Sequence, residues 1–336
     1  MAVRKKVFCL GKIKLRVSKN TIYITVKDKE FYAAYPFDME ETPNDLLEAL
    51  VYVLFVGLED VPIPQKEKNR DGDQVILSFS GGADSLAAHE LIPSIPIYLH
   101  RDYLPDYGLS QQDIIKNTRS VVINNNMELI RKLYDKPHGF NWGYGYASLI
   151  LPLMDRYNAT HIIFGTGYMR NVDKKNRHHY DALRNIGIHI SNPTGCIYEV
   201  LTSKIASYSK HGMMASSCHH TYKKICGSCL KCLRKQGFAG KKITLTNKLV
   251  TALDNPNIFK KIGVPLVYAL QKVDYGYDND ILKSDVSFAE RYDHKRLLTC
   301  VHPELQSTML NSFRKFSITP MTTEDYKNKT KYYNQL

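Results

Sequence analysis

Between residues 6 and 36 apolar and polar positions alternate, as in Ile13-Lys-Leu-Arg-Val17 and Thr21-Ile-Tyr-Ile-Thr-Val26, with Lys19-Asn20 between them. Strand side chains point to opposite faces in turn, so this pattern predicts a small antiparallel sheet with a turn at 19–20. Residues 44–58 read as a buried helix capped by Thr42 or Asn44, and the polar run 64–73 reads as a linker. From Gln74 onward the rhythm changes. Short apolar runs at 75–79, 95–99 and 161–165 are spaced by helical stretches at 84–91, 127–134 and 146–157. That alternation predicts an α/β domain with a parallel sheet covered by helices on both faces. Past Gly240, residues 245–253, 258–272 and 288–297 read as helices, and 322–336 as a polar, partly disordered tail. The expected organisation is a small β-rich unit with one helix over 1–70, an α/β domain with a cysteine cluster over 71–240, and a helical extension over 241–336.

Composition narrows the class. The 336 residues are 43% hydrophobic, enough for a core of their own, and no apolar stretch is long enough to span a bilayer. Arg4-Lys5-Lys6 is followed by no sustained apolar segment, so the expectation is a soluble cytoplasmic protein without a membrane partner. The net charge of +13 suggests an anionic partner, either nucleic acid or simply ATP with a solvated basic surface, and charge alone does not choose between them. The excess is concentrated: from Lys204 to Lys261 there are 12 Lys or Arg against one acid, Asp254.

Two clusters carry chemistry. In Gln74-Val-Ile-Leu-Ser-Phe-Ser-Gly-Gly-Ala-Asp-Ser85 an apolar strand runs into a serine-flanked diglycine turn and then a helix. Gly81 and Gly82 let backbone amides approach an anion, the helix start at Asp84 adds unpaired amides and a favourable dipole, and Ser80 and Ser85 add hydroxyls. The plain alternative is an ordinary strand-to-helix turn with Asp84 as its cap. No Walker lysine follows the glycines, which disfavours kinase or GTPase chemistry. Parallel-sheet ligands gather at the carboxyl ends of strands, so the segment His100-Arg101-Asp102 and the turn Gly165-Thr166-Gly167 should share the cleft. Trp142, the single tryptophan, is a candidate for stacking on a base or for core packing. The second cluster is Cys218, Cys226, Cys229 and Cys232, with seven, two and two intervening residues. Four thiolates complete the closed tetrahedral shell of structural Zn2+, and an iron–sulfur cluster is the rival.

The run Ser80-Gly81-Gly82-Ala83-Asp84-Ser85 resembles the SGGxDS motif of the N-type ATP pyrophosphatases. Together with Ile162-Ile-Phe-Gly165, Leu201-Thr-Ser-Lys204 and Cys226-Gly-Ser-Cys-Leu-Lys-Cys, it makes residues 74–238 resemble the 7-cyano-7-deazaguanine synthase family. The resemblance implies an adenine nucleotide α-hydrolase-like fold and a ligase that adenylates a carboxylate, releasing AMP and pyrophosphate. Ammonia would then attack to give an amide, and a second ATP-driven step a nitrile. It implies that Ser80, Gly81, Gly82, Ala83, Asp84, Ser85 and Gly165 bind ATP. Asp84 and Ser85 would act with Mg2+, and Lys204 would neutralise phosphate charge. Where the family shows an Arg-Asn pair and a Tyr-Pro-Asp-Cys segment, this chain has Asn141-Trp-Gly-Tyr144 and His178-His-Tyr-Asp181. The acceptor therefore ranges from a deazapurine-like small carboxylate to an RNA base or a protein terminus, in a nucleoside-modification or phage-defence setting, with a homodimer among the allowed assemblies. Two rival readings are a tRNA-modifying pyrophosphatase that delivers sulfur or an amine, and a catalytically silent, zinc-stabilised nucleotide-binding module.

Overall fold

The structure, a computed structural model, describes residues 6–102, 111–136, 147–166, 177–212, 226–243, 255–273 and 280–335, together with 247, 249 and 251. The alternating N-terminal segment forms an antiparallel meander of β1 (Lys6–Leu10), β2 (Ile13–Ser18), β3 (Thr21–Val26) and β4 (Lys29–Ala34). Its buried set is the apolar half of the alternation, with Ile13, Leu15, Val17, Ile22, Ile24 and Val26 sealed from solvent. The expected turn at 19–20 is present, and Ser18 pairs with Thr21 across it. The β3–β4 hairpin closes over Lys27 and Asp28, both at positive φ (48° and 56°), which is the backbone of a type I′ turn.

The meander continues into the parallel strands. β4 pairs with β7 (Val121–Asn125) at Ala33–Asn125 and Ala34–Asn124, and the Asn126 side chain accepts from the Tyr32 amide at 2.7 Å. Beyond β7 follow β6 (Ile95–Arg101), β5 (Gln74–Phe79), β8 (Ala159–Phe164) and β9 (His189–Ser191), giving one nine-stranded mixed sheet in the order β1-β2-β3-β4-β7-β6-β5-β8-β9. The last five strands run parallel. Chain order reverses between β5 and β8: β6 and β7 are laid down to one side of β5, β8 and β9 to the other.

Each face of the sheet holds a core. Ile76, Ile97, Leu99, Ile123 and Ile162 pack under α1 (Asn44–Phe55) and α5 (Arg177–Asn185), while Val75, Leu77, Phe79 and Ile163 pack under α2 (Ala83–Leu91), α6 (Glu199–Tyr208) and α10 (Pro303–Lys315). α3 (Gln112–Asn117) and α4 (Leu129–Leu133) are short connectors on either side of β7. A third apolar cluster joins α7 (Leu230–Phe238) and α8 (Pro256–Lys272) to α11 (Thr323–Asn334). The segment 64–73 is fastened to α1 and to the turns at Asp155 and Ile186. The Arg70 guanidinium donates twice to Asp45 (2.7 Å each), to Asp155 (2.9 Å) and to the Ile186 carbonyl (2.8 Å).

Three expectations are corrected. Residues 147–150 are helical, but Pro152 turns the continuation into a 3-10 turn at Leu151–Leu153 in place of a helix through 157. The stretch 288–297 is broken: a 3-10 turn at Ser287–Glu290 ends where Tyr292 bridges to Pro320, and Asp293 starts α9 (His294–Cys300) by accepting from the Arg296 amide. The polar tail is ordered as α11, whose Thr322 and Asp325 form a reciprocal capping box. Its Tyr332 is buried against Phe288. Among the described residues no helix is long and apolar enough to cross a membrane.

Candidate functional site

In an open parallel sheet the crevice lies outside the carboxyl ends of the strands, where successive connections diverge to opposite sides. Here that point falls between β5 and β8, and the segments leaving them are Ser80–Ser85 and Gly165-Thr166.

The first segment is shaped by its own serines. Ser85 is buried; its hydroxyl donates to the Gly82 carbonyl (3.0 Å), accepts from the Ser80 amide (3.3 Å) and lies 3.1 Å from the Ser80 hydroxyl. The Ser80 hydroxyl in turn accepts from the Gly82 amide at 3.4 Å. Gly81 sits at φ +72°, and a Cβ there would come within 2.8 Å of the Gln111 side chain. α2 starts directly after Gly82, so its opening amides have no acceptor within the helix. Gly165 meets this loop face on: a Cβ would sit 2.2 Å from the Asp84 carbonyl oxygen and 2.7 Å from the Ser85 nitrogen. Its missing side chain thus admits loop backbone. Thr166 is pinned by Asn192, whose side chain donates to the Thr166 hydroxyl (2.7 Å) and carbonyl (3.0 Å) and accepts from its amide (3.3 Å).

Asp84 has two neighbours that sequence reasoning missed. The Thr202 hydroxyl, from α6, donates to Asp84 Oδ1 at 2.5 Å. Lys235, from α7, is close enough for its charge to be coupled to Asp84 and Glu199; burial and then the nearby Lys231 lower its pKa, while those carboxylates act to raise it. Next to it Arg234 donates to Glu199 at 2.5 Å, a pair largely removed from solvent. Lys204 is exposed, two residues past Thr202 on α6. Thr202 lies inside Leu201-Thr-Ser-Lys204, a segment quoted for the family resemblance, and Lys235 lies three residues past the other segment. Sequence distance hid the contact: 118 residues separate Thr202 from Asp84.

β6 ends on side chains bound to one another. Arg101 is buried and pairs with Glu128 at 3.0 Å; Asp102 is 3.6 Å from His100 and accepts from the Tyr32 hydroxyl. This is a strand-end ion network.

The thiols of Cys226, Cys229 and Cys232 converge at the start of α7 and could hold a metal ion. Cys232 Sγ lies 3.4 Å from Cys229 Sγ and 3.9 Å from Cys226 Sγ. Tetrahedral Zn–S bonds of about 2.3 Å put neighbouring sulfurs about 3.8 Å apart, so the spacing fits. Gly227 takes φ +73°, which folds the chain so that the Cys229 amide donates to Cys226 Sγ at 3.3 Å. Burial, and then the hydrogen bond shared with Cys229, push the Cys232 thiol up to about 12. Cys218, Gly167 and Trp142 lie outside the described residues, as does most of 245–253.

Residues 178–273 match the sequence model of a family of unknown function, DUF6395. The matched stretch holds Thr202, Lys235 and the three converging cysteines, and it begins after the diglycine turn. No curated protein and no solved structure matches the chain.

Proposed function

We propose that this protein is an ATP-dependent ligase of the adenine nucleotide α-hydrolase-like fold, related to the 7-cyano-7-deazaguanine synthases, that adenylates a carboxylate and releases pyrophosphate. The observation that carries the reading is the diglycine turn of residues 80–85, which lies at the reversal of strand order with Asp84 facing a threonine and near a lysine. The parallel order β7-β6-β5-β8-β9 supports a dinucleotide-type or α-hydrolase-type sheet, in which nucleotides sit at this reversal.

A carboxylate oxygen leaves poorly until it carries AMP. In the proposed step a substrate carboxylate attacks the α-phosphorus of ATP, the bond to the β-phosphate breaks, and pyrophosphate departs with the electron pair. Ammonia then displaces AMP. The amides from Gly81 to Ser85 would cradle the triphosphate, and Lys235 would offset charge gathering on the departing pyrophosphate. Asp84, with one carboxylate oxygen taken by Thr202, retains a second for Mg2+, the kind of hard oxygen ligand that ion prefers; the ion would supply charge neutralisation at the phosphates. Ser85 keeps the loop's shape. The thiol cluster would hold Zn2+ with Cys218 as fourth ligand, fixing the start of α7 and so the place of Lys235.

A second reading keeps this chemistry but puts the acceptor on RNA, favoured by the exposed Lys204, Lys210, Lys241 and Lys242. Mixing the protein with radiolabelled ATP and Mg2+ and separating AMP from ADP tests the reaction class. AMP and pyrophosphate are expected from wild type, with at least a 100-fold loss in Asp84→Ala, in the range for removal of a group that stabilises transition-state charge. Nucleotide binding without turnover, whatever acceptor is supplied, would leave only a silent binding module.

A further inference from the structure

At the opposite end of β8 from the diglycine turn, three histidines and a glutamate meet from parts of the chain far apart in sequence. His161 lies on β8, His189 beside it on β9, and His302 caps α10, which carries Glu304 in its first turn. His161 Nε2 is 3.2 Å from His302 Nδ1 and 3.5 Å from Glu304 Oε2, and the last two atoms are 4.0 Å apart. Ligand atoms held about 2.0–2.1 Å from one tetrahedral zinc lie about 3.3 Å from each other. The three distances bracket that value.

The hydrogen bonds around the ring fix which nitrogen is available. The Thr160 hydroxyl lies 2.7 Å from the Gly72 carbonyl, which can only accept, so Thr160 spends its proton there. His161 Nδ1, 3.0 Å from the same oxygen, must then be the donor. That leaves Nε2 as a lone-pair acceptor facing both His302 Nδ1 and the Glu304 carboxylate, a set of three donor atoms that a cation between them would satisfy together. A ligand histidine whose other nitrogen donates to a fixed oxygen is the usual outer support of a metal centre. His302 is held too: its amide donates to Ser191 Oγ (2.9 Å) and its ring lies on that of His189, with centroids 4.1 Å apart.

The geometry points to a second metal site, separate from the cysteine cluster, in which His161 Nε2, His302 Nδ1 and Glu304 Oε2 bind a zinc-class divalent ion and clamp α10 to the edge of the sheet. His161 stands four residues before Gly165, about 13 Å along the strand, so this ion takes no part in the loop's chemistry. Two imidazoles and one carboxylate leave a fourth position open to water or a small anion.

The test is zinc content by equilibrium dialysis of the full chain against buffered Zn2+, followed by mass-spectrometric metal counting. Glu304 is 69% exposed and His302 about a quarter exposed, so Glu304→Ala and His302→Ala are compatible with folding, which circular dichroism checks. Each variant is expected to lose one equivalent per chain relative to wild type, and the Cys226→Ser protein is expected to retain the equivalent that His302→Ala removes. A folded His302→Ala or Glu304→Ala protein that keeps the wild-type zinc count would overturn the site. In that case the three rings simply pack against one another, with His302 donating to His161.

Discussion

In the antiparallel half of the sheet polar side chains face water: Lys14 is exposed, and the Arg16–Glu30 pair at 3.1 Å keeps 28% and 50% of its side-chain surface accessible. In and around the parallel half they are sequestered and bound to partners distant in sequence, as in Asp84 with Thr202, Arg70 with Asp45, and Arg234 with Glu199. The difference follows from connectivity. Hairpins of two residues leave no chain with which to build anything at a strand end, whereas parallel strands need long crossovers that return helices and loops to the same edge. Chemistry gathers where the chain must travel.

Removing one partner of an ion pair gives the widest separation between the halves. Asp45→Ala removes the bidentate partner of the interior Arg70 guanidinium, leaving it Asp155 and the Ile186 carbonyl, and is expected to cost about 3 kcal/mol, read by urea unfolding. Glu30→Ala, the same cut across the exposed pair, should cost less than about 1 kcal/mol. Equal losses would erase the contrast.

Gly165→Ala comes next. Its Cβ would lie 2.2 Å from the Asp84 carbonyl, so backbone must move, with an expected loss of up to about 3 kcal/mol and a weaker grip on nucleotide. Unchanged stability and unchanged ATP affinity would mean that the two loops do not touch in solution.

Asp293 provides a pH handle on the helical extension beneath the parallel half. Burial alone would raise its pKa, yet the Lys329 ammonium (2.6 Å), the Tyr326 hydroxyl (2.9 Å) and the Arg296 amide together hold it below the ordinary 3.8. A carboxyl depressed on folding adds stability in full above its unfolded value and loses it as pH falls through the folded one. Asp293→Asn should therefore be less stable than wild type by about 1.5 kcal/mol at pH 7, with the gap closing below about pH 4. A gap that stays at its pH 7 size as the pH falls through the acid range would point to packing instead of charge.

A gain in place of a loss is expected at the turn of the meander. Asp28 holds φ 56° in the I′ turn, a conformation glycine adopts freely, so Asp28→Gly should raise stability by about 1 kcal/mol in the same urea experiment. A loss would show that the Asp28 side chain supports the turn.

How much of this could be read from the chain depended on whether a signal was local. Alternation from Ile13 to Val26 suffices for the meander because each strand lies beside its neighbour in sequence. The strand, diglycine turn and helix from Gln74 to Leu91 were equally legible. β9 was not, since three residues, His189–Ser191, carry too little pattern, and its pairing with β8 depends on the crossover between them. The tail from Thr322 looked unstructured because it is polar. Its helix is specified by the Thr322/Asp325 box and by Tyr332 reaching an apolar cluster built by other elements. Within the site the turn and the thiols announced themselves, while Thr202, Lys235 and the His161–His302 meeting arise only from tertiary packing.

The account rests on the amides of residues 81–85 binding the phosphates of ATP, and a crystal structure with a non-hydrolysable ATP analogue and Mg2+ tests this most directly. The expected result is a phosphate chain within hydrogen-bonding distance of those amides at the carboxyl end of β5, with Lys235 beside it. A nucleotide bound elsewhere on a well-ordered chain, with that turn bare, would contradict it.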